Sequence, residues 1–98
     1  MELYDVSYSG RVHETMKAIV VRARRAGLGF QVFEALRQLD RLLKVYPQFG
    51  QPLRDLSVTP AQLWIGVISP IVIRYIINED RRQVLVVSLP QILPRSGF

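Results

Sequence analysis

Two stripes of apolar residues at helical spacing, joined by only a few residues, constrain this chain more than any other feature. Val12, Met16, Ile19, Ala23 and Ala26 recur at intervals of four and three, and so do Val32, Leu36, Leu39, Leu43 and Tyr46. Phe33 and Leu42 widen the second stripe. That period lines up one face of an α-helix, so the chain contains two amphipathic helices, each with one side to bury. Ser9 is placed to cap the first, because its hydroxyl can accept an otherwise unpaired N–H of the first turn. Gly27 follows the last stripe residue, where a left-handed cap suits glycine. Pro47 ends the second helix, since proline restricts the residue before it and cannot donate to the helix ladder. With Leu28-Gly29-Phe30 as the link, the pair forms an antiparallel hairpin.

The second layer is readable downstream. Gln62–Ser69, Ile71–Ile77 and Gln83–Leu89 are rich in valine and isoleucine and predict three strands. Ser69-Pro70 is too short to join anything but antiparallel neighbours, and Asn78-Glu79-Asp80-Arg81-Arg82 predicts a charged hairpin loop. The middle strand is nearly all apolar, as expected if both of its faces are covered. Upstream, Leu3–Ser7 predicts a short strand in which Leu3, Asp5 and Ser7 face away from Tyr4, Val6 and Tyr8. Pro47 to Pro60 is expected to be loop, and Pro90, Pro94 and Gly97 predict an irregular tail from about residue 90. The expected fold is α+β, in the order β-α-α-β-β-β. A helical hairpin packs on a small, mainly antiparallel sheet that the first strand rejoins. The 98 residues have room for one domain, 1–98.

Composition narrows the chemistry. The chain has no cysteine and one histidine, His13, so neither a disulfide framework nor a multi-histidine zinc centre is expected, and no cofactor is implied. Thirteen basic residues against eight acidic ones give +5, a balance that suits nucleic acid or an acidic partner. Glu2 and Asp5 near the N-terminus do not read as a secretory leader. The most apolar stretch, Leu63–Ile77, contains Pro70 and Arg74 and is shorter than the roughly 20 residues of a spanning helix. A cytoplasmic protein with no membrane partner is expected.

Candidate functional residues are basic. Arg37, Arg41 and Lys44 follow spacings of four and three opposite the second stripe and form a line able to track phosphates. Arg74 stands alone in Ile71-Val72-Ile73-Arg74-Tyr75-Ile76-Ile77, on the face of Val72 and Ile76. It is expected to meet an acid, a carbonyl or an anionic ligand, because an unpaired buried charge costs several kcal/mol, roughly. Trp64 and Tyr75 could stack a base, but on strands beside a helical layer they fit the core better. His13 projects away from its stripe with no nucleophile or carboxylate pair beside it, as a surface histidine does. The acidic residues are scattered.

The strand Tyr4-Asp5-Val6-Ser7-Tyr8-Ser9, the hairpin ending in Tyr46-Pro47 and the segment Phe49-Gly50-Gln51-Pro52-Leu53-Arg54-Asp55-Leu56 are followed by Trp64-Ile65-Gly66-Val67 and Ile73-Arg74-Tyr75-Ile76-Ile77-Asn78-Glu79-Asp80. In this order, over nearly the whole chain, they resemble the RelE/ParE superfamily of bacterial toxins. The resemblance implies the toxin side of a type II toxin–antitoxin pair, held inactive by an antitoxin segment that wraps it. RelE-like members cut messenger RNA on the ribosome without a metal, whereas ParE-like members inhibit DNA gyrase. The strand that supplies a catalytic arginine in the family reads Leu63-Trp64-Ile65-Gly66-Val67-Ile68 here. The family's basic position early in the next strand is occupied by Val72, with Arg74 two residues later on the same face. The acid/base residues at the end of the last strand are replaced by Leu89-Pro90-Gln91-Ile92-Leu93-Pro94, with Arg95 beyond.

Cutting RNA through its 2′-hydroxyl needs a proton acceptor, a proton donor and positive charge for the phosphorane. Arg74 and Arg95 could supply only the charge. The expectation is therefore a toxin-like protein whose phosphate contacts come from Arg37, Arg41, Lys44, Arg74 and Arg95, with the apolar sheet or hairpin groove receiving the antitoxin. The alternatives are a non-catalytic interaction domain of the same fold, directed at gyrase or another protein, and a degenerate relic. An open sheet edge or apolar groove also favours a homodimer when the partner is absent.

Overall fold

The first helix begins where its cap was expected: the Ser9 hydroxyl accepts the Val12 N–H at 3.2 Å and opens α1, Gly10–Arg25. The computed structural model describes residues 3–54, 61–69 and 71–92. Gly27, at φ +75°, turns the chain out of α1. The Gly27 N–H bonds the Arg24 carbonyl and the Leu28 N–H bonds that of Ala23, which satisfies two orphan acceptors of the last turn. α2, Gly29–Val45, starts at once and returns antiparallel. A 3₁₀ turn over Pro47–Phe49 then leads into the sheet.

Five strands follow the order β1-β5-β4-β3-β2, where β1 is Asp5–Tyr8, β2 Gln51–Arg54, β3 Ala61–Ile68, β4 Ile71–Asn78 and β5 Gln83–Ile92. All neighbours are antiparallel except β1, which lies parallel to β5 with Val6 beside Val84. The architecture is α+β, two helices packed on one face of a mixed sheet. Val12, Ile19 and Ala23 of α1 and Val32, Ala35, Leu39 and Leu43 of α2 meet Ile71, Ile73, Tyr75 and Ile77 of β4 and Val84 and Val86 of β5. Each fully buried leucine or isoleucine there contributes about 2 kcal/mol. Tyr75 ties the layers together. Its hydroxyl donates to the Pro47 carbonyl at 2.7 Å, and its ring stacks on Phe49 with centroids 5.8 Å apart. A second tie holds β1 to the β4–β5 turn. Gln48 Nε2 donates to the Tyr4 hydroxyl at 3.1 Å and to Glu79 Oε1 at 2.8 Å, and the Arg82 guanidinium lies over the Tyr4 ring.

Several expectations are corrected. β2 forms inside the stretch expected to be loop. It is a short edge strand whose register shifts between Pro52 and Arg54, a position where a missing N–H is tolerated. β5 continues through Pro90 to Ile92 instead of becoming irregular at 90. The β4–β5 register shifts between Val72 and Arg74, so the ladder is already broken where proline has no hydrogen to give. The first strand is Asp5–Tyr8, one residue later than Leu3–Ser7 at its end. Ala26 caps α1 and is exposed, and Tyr46 lies past the last turn of α2 and is exposed too. Phe33 does not widen the buried stripe; it is 54% exposed, and Ala35 fills the core position instead. The middle strand is only partly covered on its second face, where Val72 is buried, Ile76 half-buried and Arg74 exposed. The tail beyond Ile92 and Asp55–Pro60 lie outside the described residues.

Candidate functional site

The structure sets the expected basic residues on two separate surfaces. Ile73, Tyr75 and Ile77 of β4 point into the helical layer, so Arg74, between them, points the other way. It sits mid-strand in the centre of the sheet, opposite Ile65 of β3 and Ser88 of β5. The pairs Leu63–Ile76 and Val67–Val72 share its face, as does Leu85 beside Ile76. Val67 is 50% exposed and Leu85 42%. Among the described side chains of β3, β4 and β5 on this face, Arg74 is the one charge, and no carboxylate, histidine, lysine or tyrosine accompanies it. Asp5 shares the face but stands on the edge strand, beside Gln83. Arg74 makes no ion pair among the described residues. The partner expected for it was predicated on burial; being exposed, the guanidinium stays hydrated and needs none.

Arg37, Arg41 and Lys44 lie on α2, on the far side of the helical layer from the sheet. Arg37 Nη1 meets Glu34 Oε1 at 3.1 Å and Lys44 Nζ meets Asp40 Oδ2 at 2.9 Å. Both are helix-surface pairs worth only a few tenths of a kcal/mol, roughly, yet each sets a carboxylate against a cation of the basic line. Arg41 is exposed and has no ion pair among the described residues. Arg74 and the α2 line therefore cannot grip one phosphate backbone together. Arg95 lies outside the described residues.

A groove of about 950 Å³ runs between α1 and α2 on their outer side. It follows from a second periodicity that the buried stripes conceal. His13, Met16, Lys17, Val20 and Val21 on α1, and Phe33, Leu36, Arg37, Asp40 and Arg41 on α2, each follow the spacing i, i+3, i+4, i+7, i+8. At one end, β1 closes the groove with Tyr8. The Tyr8 hydroxyl donates to Asp40 Oδ1 at 2.7 Å, and its ring lies 5.8 Å from that of His13. Burial, then the hydrogen bond to Asp40 and its negative charge, push the Tyr8 phenol well above its ordinary range. Burial works against the Asp40 carboxylate, but the Tyr8 hydrogen bond together with Lys44 outweighs it and holds the carboxyl below its usual value. The network stiffens the groove's end; its phenol is a hydrogen-bond donor and a poor proton source at neutral pH.

The remaining candidates fall in the frame. His13 is exposed against Tyr8, with no nucleophile near it among the contacts described. Tyr75 is fully buried, and Trp64 packs partly buried against the core, its indole N–H without a hydrogen-bond partner among the described residues. No group of three or more histidine, cysteine or acidic side chains able to hold a metal occurs among the described residues. None of the described helices is long and apolar enough to cross a membrane. No protein-family model, curated protein or solved structure matches the chain.

Proposed function

We propose that this chain is the toxin-like member of a type II toxin–antitoxin pair, bound by a partner protein and acting through the sheet face that carries Arg74. The observation that carries this reading is the exposed arginine at the centre of the sheet face turned away from the helices, with exposed Val67 and Leu85 on the flanking strands and no other charge on β3, β4 or β5 among the described residues. A guanidinium in that setting offers a charged fork to a phosphate or carboxylate, with aliphatic neighbours to pack against the rest of the ligand. The order of elements, a helical hairpin closing one side of a mixed sheet, agrees with the architecture that the RelE/ParE resemblance implies. In this reading Arg74 contacts the phosphates of ribosome-bound messenger RNA.

One feature favours the non-catalytic alternative, a protein-directed inhibitor such as one acting on gyrase. The central strands of the Arg74 face carry no group among the described residues able to take or give a proton, and 2′-hydroxyl attack requires both. Adding the purified chain to a cell-free translation reaction and mapping transcript ends separates the two. Cleavage seen only while ribosomes translate assigns the RNA-directed role. Intact transcript with growth arrest on expression in cells assigns the protein-directed one. Intact transcript, normal translation and unimpaired growth overturn the toxin reading altogether.

A further inference from the structure

The groove between α1 and α2 has the properties of a docking surface, and the geometry points to one occupant: an acidic amphipathic helix from a protein partner. This rests on the reading that the chain works bound to a partner, and it names the partner's chemistry and seat. The floor is aliphatic, from Met16, Val20 and Leu36, and large apolar side chains stand exposed along the rims, Val21 at 48% and Phe33 at 54%. Such a trough offers little to the hydrogen-bonding edges of a base, so nucleic acid is a poor fit. It is also open along its length, whereas small-molecule sites enclose most of their ligand. An apolar helix face laid between two parallel ridges buries all of these groups together.

Charge decides the character of that helix. Glu34 and Asp40 are the acidic groups of the lining, and each already has a cation against it, Arg37 and Lys44 respectively. Lys17 and Arg41, on opposite rims, have no ion pair among the described residues. A partner helix with Asp or Glu flanking its apolar face would meet one cation on each side. A second copy of this chain would instead bring its own +5 against +5. On each helix the lining spans about 12 Å of axis at 1.5 Å per residue, which calls for a partner helix with a little over two turns in contact. An occupant confined to the groove lies on the side of the molecule opposite Arg74. It leaves the sheet face open, so groove and sheet face can be occupied at once.

The test uses the full chain and three labelled probes in a fluorescence-anisotropy titration. The first is a designed 18-residue helix with a leucine face and glutamate flanks, the second has the same face with lysine flanks, and the third is a polyuridine oligomer. The glutamate helix is expected to bind at least tenfold more tightly than the lysine helix. Its affinity should fall with added salt, and at least tenfold on Phe33→Asp and severalfold on Arg41→Glu. Both side chains are exposed, and circular dichroism confirms that the variants stay folded. Arg74→Glu should leave the affinity unchanged. The proposal is overturned if both helices bind alike, if neither binds, or if polyuridine displaces the glutamate helix. It is also overturned if Leu85→Asp on the sheet face abolishes binding while Phe33→Asp does not. Growth arrest and transcript cleavage are measured separately, so failure of the groove leaves the toxin reading standing, and the reverse.

Discussion

The two outer faces of this molecule hold basic residues in opposite ways. On α2, the helical period sets Glu34 one turn from Arg37 and Asp40 one turn from Lys44, so two of three cations are neutralised by their own neighbours. In the sheet, β4 places Arg74 between Ile65 and Ser88, and neither strand offers it a carboxylate. A count of charges ranks the helix line above the single arginine. Local pairing reverses the ranking for a polyanion, because a cation already held by a carboxylate releases fewer counterions on binding phosphate. The hairpin side keeps a mixed, apolar groove suited to a helix, and the sheet side keeps one guanidinium with no ion pair among the described residues.

The largest effect should come from the layer between the two faces, where both depend on one junction. A Cβ at Gly50 would collide with the Ile65 carbonyl oxygen and lie 2.6 Å from the Tyr75 hydroxyl. Gly50→Ala is expected to cost about 3 kcal/mol or more, read by urea unfolding, and to impair groove and sheet face alike. Tyr75→Phe comes next. It removes the bond to the Pro47 carbonyl and leaves that acceptor unpaired, for about 1–2 kcal/mol. Burial, partly opposed by the Gly50 backbone, pushes the Tyr75 phenol up to about 12 from 10.0. Its neutral form is thus favoured in the folded chain. That contribution is complete below pH 10.0 and is lost as pH rises toward 12. Unfolding midpoints taken between those limits should fall less steeply in Tyr75→Phe than in the parent.

The contrast between the faces also explains what could be read in advance. The helices, their caps and four of the five strands, the first displaced by one or two residues at its ends, are legible because local chemistry fixes them: Ser9, Gly27 and Pro47 act within a few residues of themselves. β2 is not, since Pro52 breaks the propensity signal and the strand exists only because β3 pairs with it. Arg74 was legible as an anomaly, and alternation gave its face. Its exposure was not, because that depends on which side of the sheet the hairpin covers. A hairpin groove is among the expectations from sequence, but its lining is not legible there, for a different reason. Phe33 fits the edge of the buried stripe as well as the rim of a groove, and only the crossing of α1 over α2 decides between them. The matching i, i+3, i+4, i+7, i+8 sets from His13 and from Phe33 were the available signal.

A smaller change should act on one face alone. Asp40→Asn removes the charged acceptor of Tyr8 and the partner of Lys44, both at the groove's end. With the pair less than half exposed but still at the surface, the expected cost is about 0.5–1 kcal/mol. Because the Asp40 carboxyl is held below 3.8 in the folded chain, its contribution is present above that pH and is lost as pH falls through the lower folded value. Acid unfolding of Asp40→Asn should accordingly show less pH dependence below pH 3.8. The substitution also makes the groove one charge more positive, so a glutamate-flanked helix should bind severalfold more tightly, with Arg74-dependent activity unchanged.

Arg74→Ala is expected to disturb the fold least, because the side chain is exposed and no contact among the described residues depends on it. Unfolding should shift by no more than about 0.5 kcal/mol. Growth arrest should nevertheless disappear, since this is the one charge on the central strands of the open face. Arg74→Lys refines the outcome: a point charge restores attraction to phosphate but lacks the planar fork, so full rescue indicates electrostatic attraction and partial rescue a bidentate contact. Arg41→Ala is the matched control on the other side of the molecule, with groove binding weakened and growth arrest retained. If Arg74→Ala stays fully toxic while Arg41→Ala does not, the roles of the two faces are exchanged. The paired carboxylates of α2 would then have failed to quench the helix line, and the argument from local pairing would fall with them.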